Sequence, residues 1–124
     1  MPIRHIIMVR RKPGLSPEEF RKGYEESHSR IAVRLFGHLW LSYRRNYLTT
    51  GHNFAQAGET ALADDTGFDA ISEFVLRDEA ALAEMRRIGA ENMAEIKEDE
   101  AKWFDQAQWW NMSCESVEDV GLGR

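Results

Sequence analysis

The sequence predicts an α+β fold: a four-stranded antiparallel sheet with helices on one face, in the order β-α-β-β-α-β. Three observations lead there. Runs of alternating or β-branched residues fall near 3–10, 39–50, 68–76 and 109–117. Two longer segments repeat apolar residues at helical spacing behind capping residues. Several strand runs are apolar on both alternating faces, so each expects cover on two sides.

The first run, Ile3 to Arg10, is rich in β-branched residues and ends at Lys12-Pro13-Gly14, a turn signal. A helix then opens on Ser16 as N-cap, Pro17 at the first helical position and Glu19 completing a capping box. Its apolar stripe runs Phe20, Tyr24, Ile31, Leu35; His28 falls on the same stripe, and Gly37 is the expected stop. From Leu39 to Thr50 the period becomes two. Leu41, Tyr43, Arg45 and Tyr47 share one face, and Trp40, Ser42, Arg44, Asn46 and Leu48 share the other. Residues 51–67 are expected to form a long loop or lid. Phe68 to Leu76 is the third strand, with Asp69, Ile71, Glu73 and Val75 on one of its faces. Asp78 caps a second helix with the stripe Leu82, Met85, Gly89, Met93, Ile96, Glu100, Trp103. Trp109 to Val117 reads as the fourth strand, and 118–124 as a tail. This is the split βαβ, or ferredoxin-like, arrangement in a single domain over 1–124. Its second sheet face is bare, and bulky residues there ask for a second copy of the chain, a two-fold homodimer.

Composition narrows the function classes. The 124 residues suit one compact domain. A net charge of −5 gives no basic footprint for nucleic acid. No apolar run approaches the roughly 20 residues that span a bilayer, and no signal-peptide core is seen at the N-terminus. One cysteine, Cys114, excludes an internal disulfide framework and fits the cytoplasm. His5, His28, His38 and His52 show no zinc-site spacing, and neither a Walker A loop nor a dinucleotide fingerprint is present. The surplus is aromatic: four Trp, three Tyr and six Phe, to be shared among core, interface and pocket.

Several segments together resemble the EthD family of the dimeric α/β-barrel superfamily. They are Arg10-Arg11-Lys12-Pro13-Gly14-Leu15-Ser16-Pro17-Glu18-Glu19-Phe20, Tyr24-Glu25-Glu26-Ser27-His28, Tyr43 with Asn46, Phe68-Asp69-Ala70-Ile71-Ser72-Glu73-Phe74, and Asp99-Glu100 with Phe104-Asp105. The resemblance implies a dimeric barrel and small-molecule chemistry. Superfamily members include polyketide cyclases, dehydratases, decarboxylases, muconolactone isomerases, cofactor-free monooxygenases and haem proteins. Fold membership does not select among them.

The leading expectation is an enzyme, of lyase or isomerase type, performing cofactor-free proton transfer on a small aromatic, polyketide-like or lactone substrate. His28 would be the general acid/base, since an imidazole titrates near neutral pH; the alternative is a buried, hydrogen-bonded structural histidine. Glu73 would orient His28 or act as the partner acid, with Asp69 four residues away on the same face. Either carboxylate could instead pair with Arg44 or Arg45. Tyr24, Tyr43 and Asn46 are candidates to hold a substrate oxygen, though alternation sends Tyr43 and Asn46 to opposite faces. Glu100 at the helix edge and Trp110, with Trp109 facing the other way, complete the candidate substrate contacts. Asp99, Glu100 and their neighbours also read as a solvated acidic face. No cofactor or metal is expected; the rival readings are a haem protein with His28 or His52 as axial ligand, a cofactor-free monooxygenase, or a non-catalytic dimeric module binding an apolar ligand.

Overall fold

The computed structural model describes residues 1–52 and 66–123. The expected lid at 51–67 therefore lies almost wholly outside the described residues. The elements are β1 (Ile3–Arg11), α1 (Pro17–Gly23), a π-helical turn (Tyr24–His28), α2 (Ser29–Phe36), a 3-10 turn (Gly37–Leu39), β2 (Trp40–Tyr47), β3 (Ala70–Leu76), α3 (Glu79–Glu91), α4 (Met93–Trp103) and β4 (Phe104–Cys114). The strands form one antiparallel sheet in the order β2-β3-β1-β4. This is the ferredoxin-like arrangement the element order predicts.

Local chemistry accounts for the boundaries. The capping box at the start of α1 is made in full: Ser16 Oγ accepts from Glu19 N at 3.1 Å, and Ser16 N donates to Glu19 Oε1 at 3.0 Å. The single second helix expected from the sequence is two, because Asn92 interrupts it. Its side-chain Nδ2 donates to the Ile88 carbonyl at 2.9 Å, competing with the helical backbone, and its ψ of 19° leaves the helix. β4 begins at Phe104, five residues earlier than alternation suggested, because pairing with β1 carries it: Arg11 faces Phe104 and Lys12 N donates to the Trp103 carbonyl.

Two clusters form the core on the helical side of the sheet. One joins Val9, Phe20, Tyr24, Ala70 and Phe104; the other joins Leu39, Phe74, Leu76, Ala81 and Leu82. Burying side chains of this size contributes about 1.5–3 kcal/mol each. Ile7 packs against both clusters. Between them the helices present Ala32 and Gly89, residues too small to fill the gap, and a cavity results.

Candidate functional site

The cavity has a volume of about 380 Å³, within the ordinary range for small-molecule pockets. Its floor is the inner sheet face, with His5 and Ile7 from β1, Phe74 from β3, and Trp109 and Asn111 from β4. Helical residues form the opposite wall, among them His28, Met85 and Ile96. Apolar and aromatic groups dominate, so each polar group that faces inward is conspicuous.

His28 reaches the cavity from the π-helical turn, in which Ser29 N donates five residues back to the Tyr24 carbonyl. The wider turn is supported from inside by Ser29, fully buried, whose hydroxyl donates to the Glu25 carbonyl at 2.8 Å. His28 Nδ1 lies 3.0 Å from Asp99 Oδ2. Asp99 is itself held by Ser27 Oγ at 2.6 Å and by Trp103 Nε1 at 3.3 Å, both on Oδ1, and is 4% exposed. A carboxylate only accepts, so Nδ1 carries the proton and Nε2 is left as the basic nitrogen. The ring stands edge-on to Tyr24 and Phe104, which fixes its plane.

Tyr24 and Tyr43 adjoin it. The Tyr24 hydroxyl and Ser72 Oγ share a 2.9 Å hydrogen bond, and burial raises the pKa of both phenols above the usual range; Tyr24 raises that of Tyr43 further, whereas the hydrogen bonds of Ser72 and Tyr43 partly offset the rise at Tyr24. Both therefore stay protonated donors. Glu100 also lines the cavity; it is buried, with Lys97 Nζ at 3.2 Å. Lys97 in turn lies 5.8 Å from the Trp109 ring centroid.

Of the residues singled out from the sequence, the fold brings His28, Tyr24, Tyr43 and Glu100 to this cavity. It sends four elsewhere. Glu73 lies on the outer sheet face, paired across to Arg4 at 2.7 Å, so it is Asp99 and not Glu73 that orients His28. Asn46 shares that outer face and donates to the Ile71 carbonyl at 2.9 Å. Asp69 precedes β3 and takes Arg11 through both the backbone N–H and the guanidinium, a brace between strand ends. Trp110 points outward and is half exposed, while Trp109 is the ring that meets the cavity. For Glu73, Asn46 and Trp110 the period-two alternation holds and sets them on the face away from the cavity, whereas Asp69 lies just before the strand.

His5 and Trp40 reach the cavity without having been singled out as site residues in the sequence. His5 stacks on Phe74 at 5.1 Å, with Nδ1 2.9 Å from Asn111 Oδ1. Its signal was its place between Ile3 and Ile7 on one strand face. Trp40 was placed opposite Tyr43, but a register shift between Trp40 and Ser42 turns it inward, against Phe36, Tyr43 and Phe74. Trp40 Nε1 is buried with no hydrogen-bond partner among the described residues. Asp99, which stands behind His28 rather than in the cavity lining, reads in sequence as sharing with Glu100 the helix edge where a pocket would open, or as one acid of a solvated face.

The family model for the EthD domain matches residues 12–107. The chain belongs to the EthD family. Solved structures that this EthD-family chain resembles include an EthD-like protein from Ralstonia eutropha JMP134 at 16% identity and a TM-score of 0.65, covering 97% of this chain and 96% of that one. Another is an ethyl tert-butyl ether D (EthD) family protein from Bacillus halodurans C-125, at 16% identity and 0.57, with 94% and 100% covered. A protein from Bacteroides fragilis NCTC 9343, described as dimeric, of unknown function and of ferredoxin-like fold, aligns at 6% identity and 0.50 over 93% and 96%. At such identities the likeness concerns the fold. No curated protein matches the sequence. No helix among the described residues is long and apolar enough to cross a membrane.

Proposed function

We propose that this EthD-family chain is a small-molecule enzyme that moves a proton next to a carbonyl on an aromatic, polyketide-like or lactone substrate, with no cofactor. The observation that carries this reading is the His28–Asp99 pair at the wall of an apolar cavity. His28 Nε2 removes a proton from the carbon beside the carbonyl. Asp99 stabilises the resulting imidazolium, and the Tyr43 O–H donates to the oxygen as it gains charge. The same imidazolium then returns its proton, to a leaving hydroxyl in a dehydration or to a second carbon in an isomerisation. The working unit is a homodimer formed through the outer sheet face; exposed Trp110 and Met112 on that face support it, as does the dimeric Bacteroides fragilis relative.

The test is deuterium exchange at the α carbon of a panel of aryl ketones and lactones, 1-tetralone first, followed by NMR in D2O. The native protein is expected to accelerate exchange, His28→Ala to lose at least ~10²-fold of that rate, and Asp99→Asn to lose part of it with an altered pH profile. Probes that bind the cavity and exchange no faster than in buffer would turn the reading to a non-catalytic binding module.

A further inference from the structure

On α3 the residues Leu82, Met85, Arg86 and Gly89 face the cavity, and one of them carries a charge. Arg86 is exposed while lining the cavity, which places it where the apolar chamber meets solvent. Among the described residues no carboxylate pairs with it. Its neighbours three and four positions away on the helix, Leu82, Ala83, Gly89 and Ala90, carry no charge, and Glu84 and Glu91 are both taken by Arg87, which binds Glu84 through two nitrogens and Glu91 at 2.7 Å. Across the cavity Lys97 is committed to Glu100 and cancels its charge. On a chain of net charge −5, the rim of this mainly apolar cavity thus keeps one cation in surplus among the described residues.

An unpaired guanidinium beside an apolar chamber is a fork of N–H donors suited to a planar anion, and a ligand that left it unmatched would lose that charge-assisted bond. Resting on the substrate pocket proposed above, we infer that the ligand is an organic acid. Its apolar or aromatic body lies between the inner sheet face and the helices, and a carboxylate or comparable monoanion is held by Arg86 at the rim. That pose puts the acid group at the solvent end and leaves the rest of the ligand to His28 and Tyr43. Arg86 is then a specificity residue for binding, outside the proton-transfer machinery.

The probes are N-phenyl-1-naphthylamine, a neutral fluorophore that lights up in apolar sites, and two competitors of matched shape, 2-naphthoate and 2-naphthamide. The native protein is expected to bind the fluorophore and release it to naphthoate at lower concentration than to naphthamide. In Arg86→Gln the apparent Kd for naphthoate should rise about 10-fold, the scale of one charge-assisted hydrogen bond, while that for naphthamide moves less than about 2-fold. Unchanged naphthoate affinity in Arg86→Gln overturns the inference. Arg86 makes no ion pair among the described residues, so the variant is expected to keep its fold, which circular dichroism verifies. Gly89→Phe locates the signal: a Cβ at Gly89 meets only Phe36 Cζ, at 3.8 Å, so the new ring enters the cavity. Fluorophore binding that survives Gly89→Phe, or is missing from the native protein, overturns the pocket reading along with the inference. Binding blocked by Gly89→Phe but indifferent to Arg86 overturns the inference alone.

Discussion

Asp99 joins Trp103, on its own helix, to Ser27 and His28, some 70 positions away along the chain, and that closure is what gives His28 a defined tautomer. Half of it was legible in the sequence. His28 announced itself by helical spacing from Tyr24, whereas its partner had to be guessed, and the guess of Glu73 failed for a physical reason. Ile71 and Val75 make the outer face of β3 nearly as apolar as the inner one, so periodicity alone could not say which face meets the helices. A second charged residue, Glu25, has a testable consequence. Arg45 binds its carboxylate at 2.6 and 2.8 Å, and Tyr47 donates a further hydrogen bond. The Arg45 bond chiefly, with help from Tyr47, lowers the carboxyl pKa from 4.5 to about 2. A depressed value in the folded state means that the pair's contribution is complete above pH 4.5 and is lost as pH falls through about 2. Urea midpoints of Glu25→Gln should accordingly decline less steeply than those of the native protein over that interval; equal slopes would contradict this account.

Elements show where one side chain dictates the path of a helix or strand. Gly23, at the end of α1, lies under the Trp103 ring so closely that a Cβ would fall 2.1 Å from a ring carbon. Its backbone is ordinary; the requirement is for space. Gly23→Ala should destabilise the fold by about 1–3 kcal/mol through overpacking, read as a shifted thermal midpoint. Since Trp103 also donates to Asp99, the same variant should alter the pH response of any His28-dependent exchange. An unaltered midpoint would show that Trp103 can move aside. The close approach was not legible, because glycine within a helical stripe carries no mark of what crosses it. The inward turn of Trp40 was hidden for a related reason. A bulge adds one residue to one strand only, and the change of face depends on the partner strand.

At the scale of the whole molecule the sheet separates two environments. Its inner face holds both core clusters and the cavity, whereas the outer face leaves Trp110 53% and Met112 41% exposed, with Arg4 and Glu73 paired beside them. The layered architecture was largely legible because strand order and capping are local signals, and the aromatic surplus foretold two destinations for the rings. Which ring went where depended on a face assignment that only tertiary packing makes. If the outer face is the seam of a homodimer, Trp110→Glu places a charge in it. Sedimentation should then find a dimer for the native chain and a monomer for the variant, with the cavity's fluorophore binding retained. A native chain that sediments as a monomer would remove the seam.

The π-helical turn gives the chain a local tolerance of length. Upstream of it Phe20 points into the core, and downstream Ala32 and Phe36 line the cavity. The five-residue hydrogen bond from Ser29 to Tyr24 spends one residue more on the turn than an α-helix would. That residue is absorbed inside the turn, so the two halves of the helix keep the faces they present to core and cavity. Deleting a single position from 25 to 28 would regularise the turn without re-aiming either half, and would change instead which side chain stands where His28 now does. Relatives differing by one residue at this turn would thus be expected to keep the chamber's walls and to lose or move its inward histidine.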